Sequence, residues 1–312
     1  METKWLEDFV SLAETRSFSR SAQLRHVTQP AFSRRIQALE AWAGTDLVDR
    51  SSYPTRLTPA GQTLYEQALE ILQALQSTRA MLRGQSAAGQ DVLEFAVPHT
   101  LAFTFFPGWV SSLREDFGTV RSRLIALNVH DAMLRLVEGG CDLLIAYHHD
   151  AHPLPLDADR YEMVTLGQET VAPYCLPGPD GRPLLTLPGR VGAPLPFLGY
   201  APGAYLARVT ELLLKQAQGP VHLDRVYETD MAEGLKVMAL EGHGLAFLPA
   251  SAARAEVAAG RLVAADGGEF GPLRLTLEIR AYRQRPAGRE AAKRSAQALW
   301  DFLSRQARGA RG

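Results

Sequence analysis

Apolar residues recur at helical spacing from the start of the chain. Trp5, Leu6, Phe9, Leu12 and Ala13 share one face and predict a helix ending near Arg16. Ser17 or Ser19 can cap a second, short helix over Arg20 to Arg25, and His26-Val27 makes the turn after it. Thr28 stands as the cap of a third helix, with Pro30 in its first turn where a missing N–H costs nothing. Phe32, Ile36 and Leu39 face inward from that helix and Gly44 ends it. Three short helices within about 45 residues, the last two joined by a tight turn, form a helix-turn-helix. Asp46 to Thr58 then reads as a small hairpin, or wing, around a Ser-Ser-Tyr-Pro centre.

Thr58-Pro59 opens a long helix predicted to run to about Arg83. On it Leu64, Ala68, Ile71, Leu75, Thr78 and Leu82 alternate in steps of four and three, a period that suits a seam between two copies of the helix. The alternative is an amphipathic helix packed on its own domain. Gly84-Gln85-Ser86-Ala87-Ala88-Gly89 is a hinge by composition.

Beyond the hinge the period changes. Strand (Val92–Val97), helix (Phe103–Asp116), strand (Arg123–Asn128), helix (Asp131–Gly139) and strand (Asp142–Tyr147) follow one another. A second run holds strands at Met163–Leu166, Val171–Leu176 and Pro196–Gly199, helix Ala204–Gln216, strand Arg225–Glu228, helix Met231–Glu241 and strand Leu245–Leu248. Strand Leu273–Tyr282 and helix Arg289–Arg305 close the chain. Strands alternating with helices imply a parallel sheet covered on both faces, here in two lobes with a cleft between them. The pattern divides the chain at about 1–58 (winged helix-turn-helix), 59–89 (linker helix and hinge) and 90–312 (two-lobed α/β part). Lobe I takes about 90–160 and 268–312, and lobe II about 161–267.

Composition changes this picture little. The 312 residues are 46% hydrophobic and 21% charged, with net charge −1, as in an ordinary globular protein. Locally, residues 15–60 hold seven arginines (16, 20, 25, 34, 35, 50 and 56) against three acids. Two cysteines, Cys141 and Cys175, fit buried, inert thiols in a reducing compartment. Glu2, Glu7 and Asp8 stand where a signal peptide needs an apolar run, and the uncharged stretch Phe95 to Leu113 is broken by Pro98 and Pro107. A cytoplasmic protein with no membrane partner is the expectation.

The third helix begins Thr28-Gln29-Pro30-Ala31-Phe32-Ser33-Arg34-Arg35, and the first turn of such a helix meets base edges in the major groove. Gln29 can pair with adenine and Arg34 with guanine, and Ser33 is short enough for base or phosphate. Helix starts at Ser19 and Thr28 offer N–H groups to phosphates, and Arg50 and Arg56 flank the wing tip. Double-stranded DNA is the partner this pattern implies.

Residues 5–65 resemble the N-terminal domain of the LysR-type transcriptional regulators. The likeness runs through Phe9, Ala13, Ser17-Phe18, Ala22, Thr28-Gln29-Pro30-Ala31, Ser33-Arg34, Ile36, Leu39-Glu40, Gly44, Leu47, Arg50 and Leu57-Thr58-Pro59-Ala60-Gly61. Thr28 stands where Ser is commoner, and Val48 replaces the usual Phe. Leu136–Asp142 and Gly242-His243-Gly244-Leu245-Ala246 with Pro249 resemble the family's effector domain more loosely. The opening residues and Phe18 to Arg25 are similar to the hypochlorite-responsive subgroup. The resemblance implies an all-α winged helix-turn-helix plus linker helix, followed by a periplasmic-binding-protein-like effector domain. It also implies a homodimer, often a homotetramer, controlled by a small-molecule effector or an oxidant, with no cofactor.

Ligands of such α/β sheets sit beyond the carboxyl ends of strands. That rule selects His99 and Thr100 after the first strand, Tyr147 and His148 after another, and Tyr200 and Thr229 in lobe II. Thr100 with free N–H groups suits an anion. His148-His149-Asp150-Ala151-His152 lacks metal-ligand spacing, so no metal site is read. Met133, Met163, Met231 and Met238 are candidates for oxidation. The chain holds no Gly-x-Ser-x-Gly, no His-Glu-x-x-His, no P-loop and no dinucleotide fingerprint, which argues against an enzyme.

Overall fold

Helix α1 (Thr3–Thr15) buries Leu6, Phe9, Val10 and Leu12 and stops at Arg16, which takes a left-handed φ of 53°. The structure, a computed structural model, describes residues 2–51, 54–82, 92–265, 273–286 and 293–309. Helix α2 (Phe18–Leu24) begins two residues before the expected start, because Ser17 caps it and Ser19 does not. The Ser17 hydroxyl accepts from the Arg20 N–H at 3.4 Å. Helix α3 (Gln29–Ala43) has Thr28 at its N-cap position, but the Thr28 side chain makes no capping hydrogen bond. Phe32, Ile36 and Leu39 are fully buried, and Gly44 ends the helix with φ 70°.

The wing corrects the all-α label for this domain. β1 (Val48–Asp49) pairs antiparallel with β2 (Arg56–Leu57), a true two-stranded ribbon. Ser52 and Tyr53, at its expected centre, lie outside the described residues. Helix α4 (Pro59–Leu82) follows, with the Thr58 hydroxyl donating to the Asp46 carbonyl at 2.7 Å and accepting from the Gly61 N–H at 3.0 Å. Its first turn lies so close to the wing that a Cβ at Gly61 would overlap the Leu47 carbonyl oxygen. Backbone cannot swing aside as a side chain does, so Gly61→Ala is expected to destabilise the domain by about 1–3 kcal/mol or more. A thermal melt of the variant unchanged from wild type would show that the contact relaxes freely. Arg83 and the hinge 84–89 lie outside the described residues.

The remainder is an α/β unit. Its first part holds β3 (Val92–Pro98), α5 (His99–Thr104), α6 (Phe106–Asp116), β4 (Arg121–Leu127), α7 (Val129–Val137), β5 (Leu143–His148) and β6 (Tyr161–Cys175). β7 (Leu195–Tyr200), α8 (Tyr205–Gln216), β8 (Leu223–Thr229), α9 (Ala232–Leu240), β9 (Leu245–Pro249), α10 (Ala250–Ala258) and β10 (Val263–Ala264) follow. β11 (Leu275–Gln284) and α11 (Arg294–Gly309) come last. One sheet runs in the order β4-β3-β5-β11-β6-β9-β7-β8, with β10 added to β6. β3 lies parallel to β4 and β5, and β7 parallel to β8 and β9. β11 and β6 run antiparallel between these two groups and join them.

Three differences from the sequence expectation have physical causes. The two strands expected at 163–166 and 171–176 are one, since β11 supplies a continuous ladder past Gly167, with a register shift at Ile279/Arg280. The helix expected from Phe103 starts at His99, directly after Pro98, and breaks at Phe105, because Pro107 has no N–H to continue the ladder. Helix α10 was not expected: its sequence Ala-Ser-Ala-Ala-Arg-Ala-Glu-Val-Ala has strong helix formers but almost no apolar stripe. The last helix starts at Arg294 among the described residues, and 287–292, where its start was expected, lie outside them.

Both cysteines are free. Burial pushes the Cys141 thiol up to about 12 and raises Cys175 as well, so neither is a reactive thiolate near neutral pH. Among the described residues no helix is long and apolar enough to cross a membrane.

Candidate DNA interface and effector cleft

The outward face of α3 is prepared by its inward one. With Phe32, Ile36 and Leu39 sealed in the core, Gln29 and Arg34 stand exposed and Ser33 half-buried on the opposite side. Thr28 and Pro30 are exposed at the same end, as is Ser19 in the first turn of α2. Phe18 meets Phe32 edge-on, with ring centroids 6.1 Å apart, and locks α2 to α3.

The arginines divide into two groups. Asp8, on α1, is fully buried and accepts from Arg25 Nε at 2.9 Å and Arg35 Nη1 at 3.0 Å. Glu7 adds a second acid to Arg25. Arg50 donates to Glu40 Oε2 at 2.6 Å and lies over the Phe18 ring, while Glu40 Oε1 accepts from the Leu47 and Val48 N–H groups. Arg50 therefore fixes the wing base to α3. Among the described residues Arg34 and Arg56 make no salt bridge and are exposed.

In the α/β unit the carboxyl ends of β3, β5, β7 and β9 converge where β6 and β11 cross. A crevice of about 240 Å³ lies there, lined by His99, Thr100, Phe103 and Thr104 from α5 and by Met231, Ala232 and Glu233 at the start of α9. Its clear space holds about one water. Thr104 donates to the Thr100 carbonyl at 2.9 Å. Thr229 does not line this crevice; its hydroxyl accepts from the Met231 N–H at the start of α9. Tyr147 and Tyr200 are fully buried at their strand ends. His148, next along β5, projects to the opposite face, near the Tyr282 hydroxyl and Asp150. Lys236 pairs with Glu233 at 2.7 Å, so that acid is already neutralised.

The profile of the LysR substrate binding domain matches residues 86–308 and that of the bacterial regulatory helix-turn-helix protein, lysR family, matches 3–62. The chain belongs to the LysR family. It is 33% identical over 286 residues to the HTH-type transcriptional regulator YjiE of Escherichia coli strain K12, covering 91% of this chain and 89% of the relative. The crystal structure of Vibrio fischeri DarR in complex with DNA is similar at 31% identity and TM-score 0.57, covering 97% of this chain and 98% of that one. Full-length HypT from Salmonella typhimurium, described as a hypochlorite-specific LysR-type regulator, is similar at 30% identity and TM-score 0.58, with 99% of each chain covered.

As a LysR regulator the chain is a DNA-binding transcriptional regulator with an effector-binding domain. Sequence reasoning does not select Phe103, Thr104 and Glu233, which line this crevice, nor the pair Glu169 and Ser251, which meet where β6 reaches the start of α10. One signal for Ser251 was present: Leu248-Pro249-Ala250-Ser251 repeats the strand-Pro-helix pattern of Val97-Pro98-His99-Thr100. Glu169 lies inside a strand and carries no local signal of that kind.

Proposed function

We propose that residues 1–58 read an operator through Gln29, Ser33 and Arg34 of α3 while Ser19, Thr28 and Arg56 hold the phosphate backbone, with Pro30 against it and Arg50 bracing the wing through Glu40. The observation that carries this is the exposed N-terminal turn of α3 together with Arg34 and Arg56, exposed and without a salt bridge among the described residues. The chain acts as a cytoplasmic homodimer joined through 59–89, and dimers pair into tetramers through residues 90–312. The crevice around His99 and Thr100 takes the signal, with Tyr147 and Tyr200 behind it. Closure of the two lobes shifts the population of DNA-binding shapes by no more than the signal's differential affinity for them.

Gel shifts on the gene's own upstream region test the reading of bases. Arg34→Ala is expected to cost about 1–3 kcal/mol of specific binding and to relax preference at one base pair. Arg56→Ala weakens binding to all sequences alike and flattens the dependence on salt. Equal operator affinity of Arg34→Ala and wild type removes Arg34 from the reading surface.

A second reading, an oxidant signal, is favoured by Met231, which is partly exposed in the same crevice as Thr100. Met133, by contrast, is buried in the core, and Met238 is partly buried against it. Oxidation to the sulfoxide turns an apolar side chain polar. Under this reading hypochlorite changes operator binding by wild type and by Thr100→Val but not by Met231→Leu. Under the ligand reading Thr100→Val loses the response and Met231→Leu keeps it.

A further inference from the structure

Glu169 lies on β6 and is buried, 6% exposed. Its position pairs with Leu277 of β11, and Tyr147 pairs with Ile279 two residues along, so both side chains stand on one face of the sheet. That face looks toward α5 and the start of α10. The Glu169 carboxylate accepts from its neighbour's Thr170 N–H at 3.0 Å, from the Ser251 N–H at 3.3 Å and from the Ser251 hydroxyl. Every one of these donors is neutral. Among the described residues no Arg, Lys or His lies within salt-bridge distance of Glu169, whereas Glu233 across the crevice has Lys236. A buried carboxylate without a counter-cation is costly, and dipoles offset only part of that cost.

Tyr147 stands beside it, and Tyr200 stands beside Tyr147. Burial holds the Tyr147 hydroxyl well above its ordinary pKa, with the charge of Glu169 and the nearby Tyr200 adding to the effect. Tyr200 is 2% exposed, and its hydroxyl has no hydrogen-bond partner among the described residues. Native structures seldom leave such a group unsatisfied without a ligand or water to meet it. The residues lining the crevice include neither Arg nor Lys. The start of α10, where an anion would otherwise gain most, is already taken by Glu169 itself.

We propose that the interlobe site selects a small organic ammonium ion, whose charge is met by Glu169 and whose polar groups are met by the hydroxyls of Tyr200 and Thr100. This rests on the crevice being the effector site, and it replaces the anion expected from Thr100 alone. The cation supplies the missing counter-charge, which no carboxylate effector can do.

Calorimetric titration of the full chain tests this with matched probes: methylammonium, ethanolammonium and butylammonium chlorides against sodium acetate, glycolate and butyrate. At least one ammonium is expected to bind saturably, and none of the carboxylates. Glu169→Gln keeps an acceptor for Ser251 and lowers ammonium affinity about tenfold or more. Ser251→Ala frees one carboxylate oxygen and raises that affinity severalfold, which also serves if Glu169→Gln does not fold. Absence of saturable ammonium binding, or equal binding by wild type and Glu169→Gln, overturns the proposal. Binding of a carboxylate that is lost in Thr100→Val keeps the crevice as the effector site and removes only its selectivity for cations. A response of operator binding to an ammonium probe that persists in Thr100→Val removes the crevice as the site that takes it.

Discussion

Asp8→Ala is expected to destabilise the N-terminal domain by about 3–5 kcal/mol, because it strips a buried acid from two arginines at once. Asp8 is fully buried on α1 and divides its two oxygens between Arg25, at the end of α2, and Arg35, in the middle of α3. Each guanidinium is mostly covered, with side-chain exposures of 23% and 32%. Without Asp8, Arg25 retains only Glu7, and among the described residues Arg35 has no acid partner left. The three helices that carry the proposed reading surface share this one clamp, so DNA binding is expected to fall along with stability. Asp8→Asn, which keeps the volume and one acceptor, is expected to lose about half as much. Hydrogen exchange of peptides spanning 3–43 in the full chain measures the local opening free energy. A value for Asp8→Ala within about 1 kcal/mol of wild type would mean that the clamp adds nothing.

The same clamp shows where sequence reading stops. Seven arginines between residues 15 and 60 read as a basic surface, yet Arg25, Arg35 and Arg50 are bound to Asp8, Glu7 and Glu40. Charge counting cannot see this, because Asp8 lies 17 and 27 residues from its partners. What local physics dictates was legible: the inward set Phe9, Phe32 and Ile36, the stop at Gly44, and the change from helical to alternating period after the hinge. What the sheet assembles was not. Glu169 and Ser251 meet across 82 residues because β6 lies beside β9, and nothing in the polar run Gly167 to Thr170 announces it. Helix α10 escaped because alanine favours helix without marking a face. At the strand ends the rule of placement named Tyr147 and His148 together, but neighbours in a strand point to opposite faces. Only one of that pair can look toward α5.

Replacing Ile71 and Leu75 together by Asp is expected to dissociate the dimer and to drop operator affinity by about 10³-fold or more, toward the non-specific range. The stripe Leu64, Ala68, Ile71 and Leu75 runs straight along one side of α4, but its cover changes along the way. Ala68 is fully buried and Leu64 partly so, against the core of their own domain. Tyr65, Leu69 and Leu72 turn toward that core as well. Past it the stripe loses its neighbours, leaving Ile71 39% and Leu75 47% exposed. The side chains of Thr78 and Leu82, which continue the series, lie outside the described residues. The helix packs on its own domain in its first half, and in the proposed dimer its second half is the seam. Burying each of these side chains against a second copy is worth about 1.5–3 kcal/mol, and a carboxylate in its place opposes association outright. A lone winged helix reads one half-site, whereas two held a fixed distance apart read both. Neither residue contributes to the buried core, so folding of the single chain is left intact. Light scattering that still reports the wild-type mass for Ile71→Asp/Leu75→Asp, with operator binding unchanged, would show that the dimer is built elsewhere.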